Sequence, residues 1–165
     1  FGVTLPADLG ETYHRESLAL YARGALPVVP GLRELLAALQ RPVAIASGSQ
    51  RAKIEAGLRV HGLEQVFAGR IVSAHEVPRG KPHPDVYLEA ARRFGVDPRA
   101  CLAIEDSPTG AQAACAAGIR VFGLVGICSA YVLASAGAEP ITDLRELIVH
   151  PALAGWLRQP AGAGS

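Results

Sequence analysis

Three short runs in this chain combine residue types that handle phosphate and metal ions. Glu105 and Asp106 stand side by side at the end of the apolar run Cys101-Leu102-Ala103-Ile104. Two acids closing an otherwise buried strand are costly without a cation, and hard oxygen ligands with room for water suit Mg²⁺. One acid could instead cap the following helix, but Ser107 at the N-cap and Pro108 at the first helical position already serve that purpose. Lys81 lies between Gly80 and Pro82 in the run Arg79-Gly80-Lys81-Pro82-His83-Pro84-Asp85. Two prolines stiffen this approach and Pro84 can open the next helix, so a rigid loop would hold the ammonium in place. Ser47, Gly48 and Ser49 follow Ile45-Ala46 and precede a helical stretch, where a hydroxyl and backbone N–H groups can converge on an anion. Taken singly, the Ser-Gly-Ser run is an ordinary turn and the lysine a solvated surface charge; three such runs in order carry the signal.

The elements that must position these residues alternate along the chain. Apolar spacing gives a helix from Pro6 to Arg23, a connector through Pro27, Pro30 and Gly31, a second helix from Leu32 to Gln40, and the apolar run Val43 to Ala46. Helices are then expected at Gln50–Val60, Asp85–Phe94, Thr109–Ala117, Ser129–Ala136 and Asp143–His150, with strands near Arg70–Ser73, Cys101–Glu105 and Arg120–Leu124. Uniformly apolar strands alternating with helices give an α/β fold, a doubly wound parallel sheet covered on both faces. Ligands of such sheets bind beyond the carboxyl ends of the strands, where all three runs fall. The uncharged stretch Val121 to Ala138 is broken by Gly123, Gly126, Ser129, Ser135 and Gly137, which makes it a strand, loop and helix at a buried sheet edge instead of a membrane span.

With 165 residues, 50% hydrophobic, 19% charged and a formal net charge of +1, the chain suits one globular domain with no field that favours nucleic acid or a membrane surface. A small-molecule partner is expected. The three cysteines are far apart and form no Cys-x-x-Cys pair, which points to reduced, buried thiols in a cytoplasmic protein, and no export signal opens the chain. The histidines show no metal-ligand spacing and are read as structural or surface residues, His83 being the one to watch for its closeness to Lys81. No Walker A or Gly-x-Gly-x-x-Gly pattern occurs.

In this order the three runs resemble the haloacid dehalogenase superfamily, especially its branch of sugar-phosphate phosphatases and β-phosphoglucomutases. The similarity extends from the helix before Pro30 through Ile148 and includes the Val29-Pro30-Gly31-Leu32 connector and the Ala117-Gly118-Ile119 turn. It implies a Mg²⁺-dependent phosphohydrolase acting on a small phosphorylated metabolite. Ser47, with Gly48 and Ser49 as backbone donors, and Lys81 would bind the phosphoryl group, and Asp106 would hold the metal with Glu105 as a second ligand or a partner of coordinated water.

The family also carries an Asp-x-Asp strand whose first aspartate is the nucleophile, and no such pair occurs here. The chain opens at Phe1 and contains no methionine, so the resemblance puts that strand, and most of a helical cap, upstream. Residues 1–26 would then be a cap remnant, 27–158 a core lacking its first strand, and 159–165 a disordered tail. Without its central strand the segment is expected to associate or be marginally stable, and the full-length protein to be a monomer. The other readings are a non-catalytic remnant that binds phosphate or Mg²⁺ or nothing, a phosphoglucomutase, and a 2-haloacid dehalogenase, the last disfavoured by the acid pair.

Overall fold

The computed structural model describes residues 16–20, 23–24 and 27–157. The expected first helix falls mostly outside this range, although residues 16–20 are helical, and the tail 159–165 falls outside it entirely. From there strands and helices alternate: α1 (Leu32–Ala38), β1 (Ile45–Ser47), α2 (Arg51–Val60), β2 (Ile71–Ser73), α3 (Asp85–Phe94), β3 (Leu102–Glu105), α4 (Pro108–Ala116), β4 (Arg120–Leu124), α5 (Ala130–Ser135) and β5 (Glu139–Ile141).

All strand pairs are parallel, and the described strands form two sheets. β1 pairs with β2, setting Ser47 opposite Ser73. β3, β4 and β5 form the second sheet in that order, with Glu105 opposite Gly123. Among the described residues β1 and β3 are thus each paired on one side only.

Alternation along the strands fills three apolar clusters. Ala46, Val72, Ala103 and Val121 point into one layer with Val86, Tyr87 and Ala90 of α3 and Ala111, Ala113 and Ala114 of α4. Phe122, Ile141, Leu144, Leu147 and Leu153 pack with Leu35 on the opposite face, and Ile71 joins Leu58, Leu63 and Phe67 in a third cluster. Helices therefore cover both faces, as the uniformly apolar strands require. The first layer runs under strands of both sheets and holds them as one body.

Local sequence explains the helices that matter most. In α3 the buried residues Val86, Tyr87, Ala90 and Ala91 recur at helical spacing, Asp85 lies in the first turn, Arg92 and Arg93 in the last, and Gly95 closes the helix at φ 63°. In α4 the Ser107 side chain accepts from Gly110 N–H with Pro108 next to it, as the sequence indicates. Its buried face is Gly110, Ala111, Ala113 and Ala114, small enough for close approach to the sheet.

Four expectations are corrected. Asp143–His150 forms a 3₁₀ turn over Leu144–Val149, opened by a capping box in which the Asp143 and Glu146 carboxylates accept from backbone N–H groups. Strand β5 escapes the sequence reading because Pro140 interrupts its pattern, as an edge strand tolerates. β4 is the middle strand of its sheet and not an edge, since β5 covers its other side. Cys101, Cys115 and Cys128 are free but only half-buried. No helix among the described residues is long and apolar enough to cross a membrane.

The packing and the capping box can each be tested. A Cβ on Gly123 would lie 2.9 Å from Leu133 Cβ and 3.1 Å from Ala138 Cβ, neither at the end of a flexible chain. Gly123→Ala should therefore cost about 1–3 kcal/mol by overpacking, read as a lower urea midpoint in the full-length protein. Bonding to Arg145 lowers the Asp143 carboxyl from 3.8 to about 2. Because the folded value is depressed, this stabilisation is complete above the ordinary carboxylate range and fades as pH falls towards about 2. Asp143→Asn should accordingly flatten the dependence of Tm on pH between these limits, in acid melting curves of both proteins.

Candidate functional site

The carboxyl ends of β1, β2 and β3 open onto one cleft of about 890 Å³. It is lined by Ser47, Gly48, Ser49, His75, Lys81, Glu105, Asp106 and Thr109, and by apolar residues including Val29, Leu32, Leu124 and Leu144. The structure thus brings together every residue that the sequence marks for the site.

At the first corner, Ser49 N–H donates to Ser47 Oγ at 3.1 Å. The Ser49 amide is therefore engaged within the turn, at the lining of the cleft. The Ser47 hydroxyl, accepting that bond, keeps its own proton to donate. Ser73 fixes this turn from the next strand: its Oγ donates to the Ser49 carbonyl at 2.7 Å and accepts from His75 N–H at 3.2 Å. It is 1% exposed.

At the second corner Lys81 reaches the cleft from the loop between β2 and α3, its peptide bond to Pro82 being cis. Its side chain is 15% exposed and that of Glu105 is 7% exposed. Lys81 Nζ donates to Glu105 Oε1, and Tyr87 Oη donates to the same oxygen. Lys81 Nζ also lies 3.4 Å from Tyr87 Oη. Burial, with the Glu105 charge beside it, pushes the Tyr87 phenol far above its ordinary range, so it stays a neutral donor. Glu105 belongs to the strand face that carries Ala103 into the helix layer, which is why its carboxylate meets Tyr87 of α3.

The third corner is Asp106, one residue on, exposed and lining the cleft. Among the described residues no three His, Cys, Asp or Glu side chains converge as a ligand set. Mg²⁺ asks for only one or two carboxylates and completes its shell with water and phosphate, so Asp106 fits such an ion. Glu105, turned onto Lys81 and Tyr87, is not free to be its equal.

His75 and His83 are both exposed, as expected of surface residues, but His75 lines the cleft and His83 does not. Sequence reasoning also missed Ser73, Tyr87 and Gly110. Tyr87 and Gly110 fall on the buried stripes of their helices, where periodicity reads them as core. Register alone could have drawn attention to Ser73, the partner of Ser47 across the sheet.

The model of the haloacid dehalogenase-like hydrolase family matches residues 3–118, and the chain belongs to that family. The chain is 40% identical over 123 residues to the bifunctional riboflavin kinase/FMN phosphatase of Arabidopsis thaliana, covering 72% of this chain and 32% of that protein. It is 40% identical over 97 residues to hexitol phosphatase B of Escherichia coli, covering 57% of this chain and 43% of the relative. The crystal structure of a mutant CbbY from Rhodobacter sphaeroides in complex with xylulose-(1,5)bisphosphate superposes with a TM-score of 0.75 at 30% identity, covering 89% of this chain and 68% of that one. The chain thus spans less than half the length of the two curated relatives.

Removing the Ser73 hydroxyl tests how the first corner is held. Ser73→Ala should cost about 0.5–1.5 kcal/mol and speed amide exchange at Ser49, measured by hydrogen exchange on the full-length protein. Unchanged exchange there would mean that the turn holds itself.

Proposed function

We propose that this chain is the carboxyl-side part of a Mg²⁺-dependent phosphatase acting on a small phosphorylated metabolite, with a sugar phosphate the favoured substrate. One observation carries the reading: a hydroxyl, an ammonium and a carboxylate, from three separate strand-end loops, line one cleft. The relatives named for phosphatase activity, and the sugar bisphosphate bound by CbbY, support the substrate class.

Each residue has a distinct task. Ser47 donates its O–H to a phosphoryl oxygen, and Lys81 places fixed positive charge against the negative charge of the transferring group. Glu105 keeps Lys81 in place. Asp106 is the ligand this chain offers to Mg²⁺, which when bound screens phosphate charge and orients the group. The accepting carboxylate is an aspartate on a strand upstream of residue 1: its oxygen bonds to phosphorus as the ester P–O bond breaks, the alcohol leaves with a proton from a neighbouring acid, and water then hydrolyses the acyl phosphate. A phosphoglucomutase would instead return the phosphoryl group to a sugar.

The full-length protein should release inorganic phosphate from a panel of phosphorylated sugars, and chelation should stop it. Lys81→Ala and Asp106→Asn should each lower kcat by about 10²-fold or more while leaving the fold intact by circular dichroism. Phosphate binding without any turnover would support a non-catalytic remnant, and activity that survives chelation would remove the metal.

A further inference from the structure

We propose that Tyr87 and Gly110 are positioning residues that seat the Glu105 carboxylate so that one N–H of Lys81 is left aimed at a phosphoryl oxygen in the cleft. This rests on the phosphate-binding reading of the site and deepens it.

Hydrogen-bond capacity carries the first half. An ammonium has three protons to give. In this site one goes to Glu105 Oε1 and a second faces Tyr87 Oη at 3.4 Å, which leaves one for the cleft that Lys81 lines. The Tyr87 hydroxyl gives its own proton to Glu105, so its lone pairs are what it can offer Lys81. Nζ also lies 5.1 Å from the ring centroid, at the hydroxyl end of the ring. Tyr87 therefore touches both members of the pair. With phenylalanine the ammonium loses that neighbour and regains rotational freedom, and Glu105 loses a donor while remaining buried.

Space carries the second half, independently of the phenol. A Cβ built on Gly110 would lie 1.9 Å from Glu105 Oε2, 2.3 Å from its Cδ and 2.6 Å from Oε1. The carboxylate thus lies flat against the first turn of α4, where only glycine leaves room. A flexible glutamate could swing aside at little cost, but this one is tied on its other side by Lys81 and Tyr87. An added methyl must break those bonds or lift α4. Ser107 Oγ, 3.4 Å from Oε2, closes the same seat.

The test uses the full-length protein and its Tyr87→Phe and Gly110→Ala variants, with Tyr131→Phe, on the exposed face of α5, as the control. Three readouts are taken: the ¹H–¹⁵N signal of the Lys81 ammonium, assigned with Lys81→Arg, the affinity for inorganic phosphate, and kcat against KM. The parent should show a slowly exchanging Lys81 ammonium. Tyr87→Phe and Gly110→Ala should broaden or shift that signal and weaken phosphate about tenfold or more, one hydrogen bond's worth, with Tyr131→Phe unchanged. In turnover, kcat should fall more than KM rises. An ammonium freely exchanging in the parent, or a folded Tyr87→Phe protein with an unaltered Lys81 signal and phosphate affinity within about twofold of the parent, would overturn the proposal. Should Tyr87→Phe not fold, the parent signal and Gly110→Ala still decide. A parent that neither binds nor hydrolyses phosphate would instead sink the phosphatase reading, and the Lys81 signal would still settle the seat.

Discussion

A carboxylate buried at the end of an apolar strand dictates much of this site. A lone ion buried there would carry a desolvation cost of about several kcal/mol, so the Glu105 carboxylate calls for a cation and further donors as partners. The chain supplies Lys81 from the β2–α3 loop and Tyr87 from α3, so the end of β3 in one sheet is tied to the loop that leaves the other. The same contact fixes where Lys81 can reach, and hence where a phosphate can be held. Asp106, one residue on, avoids that demand by pointing to the exposed side, and is left available as an oxygen donor. Adjacent acids in the sequence are thus separated into a positioning group and a ligand by the two-residue period of the strand.

The helix layer makes this division possible. α3 packs on β1 and β2, while α4 packs on β3 and β4, and the two helices touch. α4 can approach closely because its buried face is made of glycine and alanine, and at Gly110 that close approach becomes the floor beneath Glu105. Surface ion pairs reinforce the same region from outside. Arg51 and Arg93 share Glu76, at the end of the turn that follows β2, and Arg93 also pairs with Glu89 of its own helix. Exposed as they are, these contacts contribute little individually and serve to tie the β2 end to α2 and α3.

Most of the strands, their parallel arrangement and the three corners of the site were legible in the sequence, because apolar runs and strand-end motifs are local signals. Ser107 and Pro108 marked the start of α4 for the same reason. What escaped the sequence depends on contacts across the fold. Pro140 hides β5 because a proline is admissible only at a sheet edge, and nothing local says which strand lies there. Tyr87 reads as one more core residue until Glu105, 18 residues later in the chain, is placed over it. The engagement of the Ser49 amide by Ser47 is likewise a matter of turn geometry that the Ser-Gly-Ser letters do not encode.

The cleft itself follows from strand pairing. β1 and β3 each use one edge, and their other edges carry backbone groups for which the described sheets provide no ladder. Ile104, in the middle of β3, is 42% exposed and lines the cleft, although its neighbour across the sheet, Phe122, is fully buried. An apolar side chain left open at the centre of a strand, beside an unpaired edge, is the environment a further strand would complete. On the phosphatase reading proposed above, such a strand would lie along the open edges of β1 and β3 with its carboxyl end toward the cleft. That is where the phosphatase reading needs its nucleophile, so the packing demand and the chemical demand meet at one position.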